Sequence, residues 1–135
     1  MKKIILFLLL FLMISSCYAI TTNCPNSILI DASTGRIIYE NNAKEHVAPA
    51  STTKIMTAIL TFEKGNLKDN VPASYNAVMS VPSGGSNTAI QVGELLTVEQ
   101  LLNCLLVASG NEAANILAEY IAGSTEEFAV MIQIL

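Results

Sequence analysis

The sequence has 135 residues, three cysteines, no tryptophan and a formal net charge of -4 at pH 7. That length supports one domain at most. The acidic balance argues against a nucleic-acid partner, because no basic stripe is left to neutralise phosphates, and the cysteines are too few for a disulfide framework.

Lys2 and Lys3 form a basic opening, Ile4 to Ile14 are eleven unbroken apolar residues, and Cys17, Tyr18 and Ala19 end the stretch on a small side chain. This is the pattern of a secretory signal over residues 1–19, with cleavage after Ala19 and a mature start at Ile20. The apolar run is too short to cross a bilayer as a mature helix. Ile14, Ser15, Ser16 and Cys17 also fit a bacterial lipoprotein signal, which would leave a lipid on Cys17 and associate the protein with a membrane. Either route predicts an exported protein, at the outer face of the cytoplasmic membrane, in the periplasm or in the cell wall. Cys24 lies near the mature start. Cys104 falls in an apolar helix and reads as a small buried hydrophobe, although export leaves a Cys24 to Cys104 bridge open.

The mature chain opens with SILIDASTGRIIYE, two β-rich runs around Ser33, Thr34 and Gly35. A hairpin is predicted: Gly35 can supply the positive φ of a short loop, and Ile28 and Ile30 against Ile37 and Tyr39 alternate as half-buried strands do. A polar stretch, Asn41 to His46, follows. His46 is the only histidine. A Ser, His, Asp triad would require it, but no GxSxG turn is present, so it reads as a solvated loop residue.

PASTTKIMTAIL, from Pro49 to Leu60, places Ser51 and Lys54 three residues apart. In a helix of 3.6 residues per turn the hydroxyl and the amine share a face. A serine attacks a carbonyl well only when its proton is removed, and a lysine removes it only as the neutral amine. Ile55, Met56, Ala58, Ile59, Leu60 and Phe62 are expected to surround the Lys54 turn with apolar surface, which disfavours the ammonium. Alone, SxxK is weak: the bland alternative is a helix start with a solvated lysine.

Gly65 and Asn66 supply a helix stop, and Asn70 to Asn87, rich in Ser, Pro, Gly and Asn, reads as a surface loop region. Thr97 with Gln100 makes a capping box for a helix whose Val98, Leu101, Leu102, Leu105 and Leu106 mark one buried face. It stops at Ala108. After the break at Ser109, Gly110 and Asn111, a second helix carries Ala113, Ile116, Leu117, Tyr120 and Ile121 on its buried face and ends at Gly123. A loop held at both ends by rigid helices can present a hydroxyl and an amide. A second SxN, Ser74 to Asn76, shows that the tripeptide alone decides nothing. After a Ser124 to Glu127 capping box, Phe128, Met131, Ile132 and Leu135 begin another amphipathic helix.

With PASTTKIMTA followed by LTVEQLLNCLLVASGNEAANILAEYIAGS, the chain resembles the serine-type D-alanyl-D-alanine carboxypeptidases among the low-molecular-mass penicillin-binding proteins, from about Ser27 to about Phe128. The resemblance implies an α+β, β-lactamase/transpeptidase-like fold, an antiparallel sheet plus a helical subdomain. It implies that Ser51 attacks the terminal D-alanyl-D-alanine bond of a peptidoglycan stem peptide to form an acyl-enzyme. Lys54 would accept the Ser51 proton, Ser109 would help relay it to the departing D-alanine, and Asn111 would bind the substrate amide and help fix Lys54. Water would release the shortened peptide with no metal or cofactor, and β-lactam antibiotics would acylate the same serine.

The family's third motif, KTG, has no counterpart here: none of Lys2, Lys3, Lys44, Lys54, Lys64 and Lys68 precedes Thr-Gly. In that family KTG lies on a strand lining the site, which would also help form the oxyanion hole. Residues 20–135 therefore read as the N-terminal part of such a catalytic domain, incomplete at the C-terminus and poorly active as it stands. A class A β-lactamase shares both motifs, but SGN in place of SDN favours the carboxypeptidase. An exported or lipid-anchored fragment without activity is the remaining alternative.

Overall fold

A computed structural model describes residues 20–133, which divide into two compact units, one ending at Val47 and one beginning at Ala48. The expected signal, residues 1–19 with Cys17, lies outside the described residues, as does Leu135. No helix among the described residues is long and apolar enough to cross a membrane.

The first unit is the predicted hairpin. Strand β1 (Ser27–Ile30) pairs antiparallel with β2 (Ile37–Asn41), with Leu29 opposite Tyr39, Ile30 opposite Ile37, and a bulge between Leu29 and Ile30. Gly35 adopts the left-handed conformation at φ 71° and donates to the Asp31 carbonyl at 2.9 Å. Asp31 organises the turn: its Oδ1 accepts from the Ser33 hydroxyl and amide at 2.7 and 3.0 Å and from both Thr34 donors at 2.9 Å. These bonds, the Ser33 hydroxyl first, favour the charged form and lower the Asp31 pKa from 3.8 to about 2. The expected alternation is not observed. Ile28, Leu29, Ile30, Ile37 and Ile38 are all roughly half exposed, and the bulge puts Ile28 opposite Glu40 instead of Tyr39. Two strands supply no second layer of their own to bury one face. His46 is exposed, as expected.

In the second unit a 3-10 turn (Ala50–Thr52) leads into α1 (Thr53–Lys64), whose Ala, Leu, Met and Lys content favours helix and which contains no Gly or Pro. Gly65 closes it by donating to the Thr61 carbonyl at 2.9 Å. The expected loop over Asn70 to Asn87 is more structured than its composition suggests. It begins with β3 (Asn70–Pro72) and contains the short helix α2 (Tyr75–Met79), and β3 pairs antiparallel with β4 (Leu95–Thr97). Ser74, the first residue of the second SxN, is spent as the α2 cap, accepting from the Ala77 amide at 2.9 Å.

Helix α3 (Val98–Val107) starts with the expected capping box, Thr97 and Gln100 satisfying each other's backbone donors. Helix α4 (Asn111–Ala122) ends at Gly123 with φ 87°, and α5 (Thr125–Gln133) follows. At its start Glu127 donates its amide to Ser124 Oγ at 3.1 Å. Helix α4 is the centre of this unit. On one side Ala113, Ile116 and Leu117 join Ala58, Val71, Val98, Leu101, Leu102 and Leu105 in a core; on the other, Ala118 meets Leu60 and Phe128. Each fully buried Leu or Ile contributes about 1.5–3 kcal/mol relative to exposure.

Three expectations about faces need correction. Leu106 is exposed while its neighbour Leu105 is buried, because the α4 contact covers a narrower stripe of α3 than the apolar pattern spans. Cys104 is only partly buried at the core's edge, and both Cys24 and Cys104 are free thiols. In α1, Ala58 and Leu60 are buried but Ile55, Ile59 and Phe62 are exposed. A helix apolar all round has two faces, and this unit covers one of them.

Candidate active site

Ser51 sits in the 3-10 turn that precedes α1, and Lys54 lies on the first turn of α1 itself. Ala50, beside the serine, has φ 48°. That left-handed conformation costs an alanine about 1–2 kcal/mol. Ser51 remains exposed, while Lys54 is only 9% exposed. Lys54 is buried by the packing of α1 against α3 and the start of α4 rather than by its own helix, whose Ile55 points outward.

The two residues do not form the direct hydrogen bond that their spacing suggested. Lys54 Nζ donates to the Ser109 carbonyl oxygen at 2.7 Å, to Ser109 Oγ at 2.9 Å and to Asn111 Oδ1 at 2.6 Å. Ser109 Oγ in turn lies 3.1 Å from Ser51 Oγ. The physical reason is backbone conformation. Ser109 has φ 56°, a left-handed turn between α3 and α4 that brings both its carbonyl and its hydroxyl to one amine. Such strain, about 1–3 kcal/mol, persists only where surrounding contacts enforce it.

The donor inventory shows what this arrangement can do. An ammonium has three N–H groups, and all three are engaged. In the neutral amine two remain. The Ser109 carbonyl and Asn111 Oδ1 can only accept, so they hold those two donors and leave the lone pair facing Ser109 Oγ, the one partner able to donate. Hydroxyl hydrogens rotate freely, so a hydrogen-bonded line then runs from Ser51 Oγ through Ser109 Oγ to Lys54 Nζ.

Ser51, Lys54 and Ser109, with Thr52, Ile55, Leu105 and Leu106, line a cleft of about 270 Å³. The exposed Leu106 therefore forms one wall of it. A larger cavity, about 600 Å³, is walled by residues of α2 and the α4 to α5 connection, and none of the four site residues lines it.

Asn111 is the first residue of α4, fixed by its amide donating to the Ser86 carbonyl at 2.9 Å. Directly after it the structure buries a carboxylate that the sequence reading passed over: Glu112 is 2% exposed, with Thr88 as its partner. The available signal was a charge directly before Ala113 and one turn from Ile116, both on the apolar stripe.

The family model for D-alanyl-D-alanine carboxypeptidase (peptidase S11) matches residues 15–134. Over 108 residues the chain is 43% identical to the D-alanyl-D-alanine carboxypeptidase DacF of Bacillus subtilis, an alignment covering 76% of this chain and 27% of that protein. Among solved structures, the carboxypeptidase DacD of Francisella tularensis superposes with a TM-score of 0.74 at 34% identity, over 87% of this chain and 29% of that one. Penicillin binding protein 6B of Escherichia coli gives a TM-score of 0.79 at 29% identity, over 89% and 40%. The chain thus spans well under half the length of these relatives. Their likeness establishes the expected α+β, transpeptidase-like fold. Family model, relatives and fold agree, and the chain belongs to the D-alanyl-D-alanine carboxypeptidase family.

Proposed function

We propose that this chain carries the nucleophile and proton-transfer half of an exported serine-type D-alanyl-D-alanine carboxypeptidase. The observation that carries the reading is the line Ser51, Ser109, Lys54, with contacts of 3.1 and 2.9 Å. Ser51 Oγ attacks the carbonyl carbon of the penultimate D-alanine in a peptidoglycan stem peptide. Its proton passes to Ser109 Oγ as the Ser109 proton passes to neutral Lys54. Collapse of the tetrahedral intermediate breaks the C–N bond, the proton returns along the same line to the leaving amine, and D-alanine departs. Water then attacks the acyl-enzyme ester by the same route and releases the shortened peptide. Asn111 Oδ1 steadies Lys54, and its Nδ2 is left to meet the substrate amide. A β-lactam presents an equivalent acyl donor and would acylate Ser51 without a leaving amine. Peptidoglycan lies outside the cytoplasm, which agrees with a secretory signal over residues 1–19. A lipid at Cys17 would add membrane association.

The test is labelling by a fluorescent penicillin together with D-alanine release. It is run on the chain and on a chimaera in which residues 20–135 replace the matching segment of the Bacillus subtilis relative. Labelling that disappears in Ser51→Ala and survives in Ser74→Ala is expected. Rapid turnover of penicillin without D-alanine release would make the enzyme a β-lactamase. Persistent labelling of Ser51→Ala would remove Ser51 as the nucleophile.

A further inference from the structure

Glu112 is a charged residue in a place that burial makes costly. It is 2% exposed, its Oε1 accepts from both the Thr88 amide and, at 2.9 Å, the Thr88 hydroxyl, and its Oε2 is buried with no hydrogen-bond partner among the described residues. An unsatisfied buried oxygen is retained only where the rest of the group does something that offsets it. The first turn of α4 helps, because the helix N-terminus favours negative charge. Both bonds from Thr88 fall on the same carboxyl oxygen.

The segment that Thr88 belongs to lies directly against the site. The Ser86 carbonyl accepts the Asn111 amide at 2.9 Å. A Cβ placed on Gly85 would meet Asn111 Nδ2 at 2.9 Å, and one on Gly110 would meet Thr88 Oγ1 at 3.2 Å. A side chain at Gly85 would have to displace the Asn111 amide, and one at Gly110 would crowd the Thr88 side chain. Residues 85–88 therefore lie against Asn111, and Glu112 is the side chain that holds Thr88 in that segment.

We propose that Glu112 is a positioning residue: by clamping Thr88 it holds residues 85–88 against Asn111, and so sets where Asn111 Oδ1 meets Lys54. The inference rests on the carboxypeptidase reading for its catalytic consequence, but not for the clamp itself. A carboxylate that merely stabilised the fold would leave the chemistry of Lys54 untouched when removed. A clamp would not, since displacing a positioning group by about 1 Å can cost on the order of 100-fold in rate.

Two measurements test it. In the full chain, hydrogen exchange across residues 81–90 and the NMR resonances of the Asn111 side-chain amide are compared for wild type, Glu112→Ala, Glu112→Gln and Thr88→Val. Exchange faster by about tenfold or more and a shifted Asn111 amide in Glu112→Ala, both restored in Glu112→Gln, which keeps an acceptor for Thr88, support the clamp. In the chimaera, the acylation rate constant at saturating penicillin is separated from the encounter constant and followed against pH. Glu112→Ala is expected to lower the rate constant by about 10- to 100-fold, to leave the encounter constant nearly unchanged and to displace the pH profile. Thr88→Val, which removes only the hydroxyl, should fall between wild type and Glu112→Ala. A Glu112→Ala protein with a lower melting point but wild-type acylation and an unmoved Asn111 amide overturns the proposal. So does a Glu112→Gln protein that behaves like Glu112→Ala. If the chimaera without further substitution takes no label at all, the carboxypeptidase reading fails, and the exchange and Asn111 measurements still decide the clamp.

Discussion

Lys54 grips Ser109 at two points, donating to its carbonyl oxygen at 2.7 Å and to its hydroxyl at 2.9 Å. The residues are 55 positions apart in the chain, and the double contact exists because Ser109 takes a left-handed backbone at φ 56°.

Replacing Ser109 separates its hydroxyl from its backbone. Ser109→Ala keeps the strained φ and loses the relay oxygen, whereas Ser109→Gly loses the oxygen and relieves the strain. Both variants are expected to lose most acylation, with Ser109→Gly more stable than Ser109→Ala by about 1–2 kcal/mol. Denaturant midpoints measured side by side decide it, and equal midpoints would show that the turn is not strained.

In the proposed mechanism Lys54 is the proton acceptor, and its stem also packs beside Leu105. Lys54→Ala and Lys54→Met should slow acylation by about 100- to 10,000-fold alike, since neither can take a proton. Their stabilities should differ, because Met fills the space of the aliphatic stem while Ala leaves a cavity beside Leu105. Thermal melts and penicillin labelling on the same preparations check both halves.

Gly65 permits a close approach of two helices. A Cβ there would stand 2.9 Å from both the Thr61 carbonyl oxygen and Tyr120 Cε1. The Tyr120 hydroxyl is held in turn by donating to Asp69 at 2.8 Å and accepting from the Asn66 amide at 3.1 Å, so the ring cannot easily retreat. Gly65→Ala should therefore destabilise by about 1–3 kcal/mol. Tyr120→Leu in the same background should recover part of that loss.

The hairpin turn is expected to depend on acid. Asp31 is lowered from 3.8 to about 2 by its bonds to Ser33 and Thr34, so the folded turn binds the proton less readily than the unfolded chain. Its contribution is complete above the ordinary carboxyl value and is lost as pH falls through about 2. NMR of the Ser33 and Thr34 amides against pH should report that loss. Asp31→Asn should show no transition in the same window.

Features whose causes are local were legible in the residues alone. Thr97 and Gln100 cap α3, Gly123 closes α4 and Gly35 turns the hairpin, because each depends on residues within one turn of itself. The spacing of Ser51 and Lys54 and of Ser109 and Asn111 placed the site's residues at element ends for the same reason. Tertiary structure alone decided which of them touch. Spacing predicted Lys54 against Ser51, but the 3-10 turn before α1 and the left-handed Ser109 put a second hydroxyl between them. It also decided which apolar residues are covered, burying Leu105 and leaving Leu106, Ile55 and Phe62 exposed, since periodicity gives a face but not the width of its partner. Glu112 was illegible for a related reason: a carboxylate is buried only when a distant donor comes to it, and Thr88 lies 24 residues away.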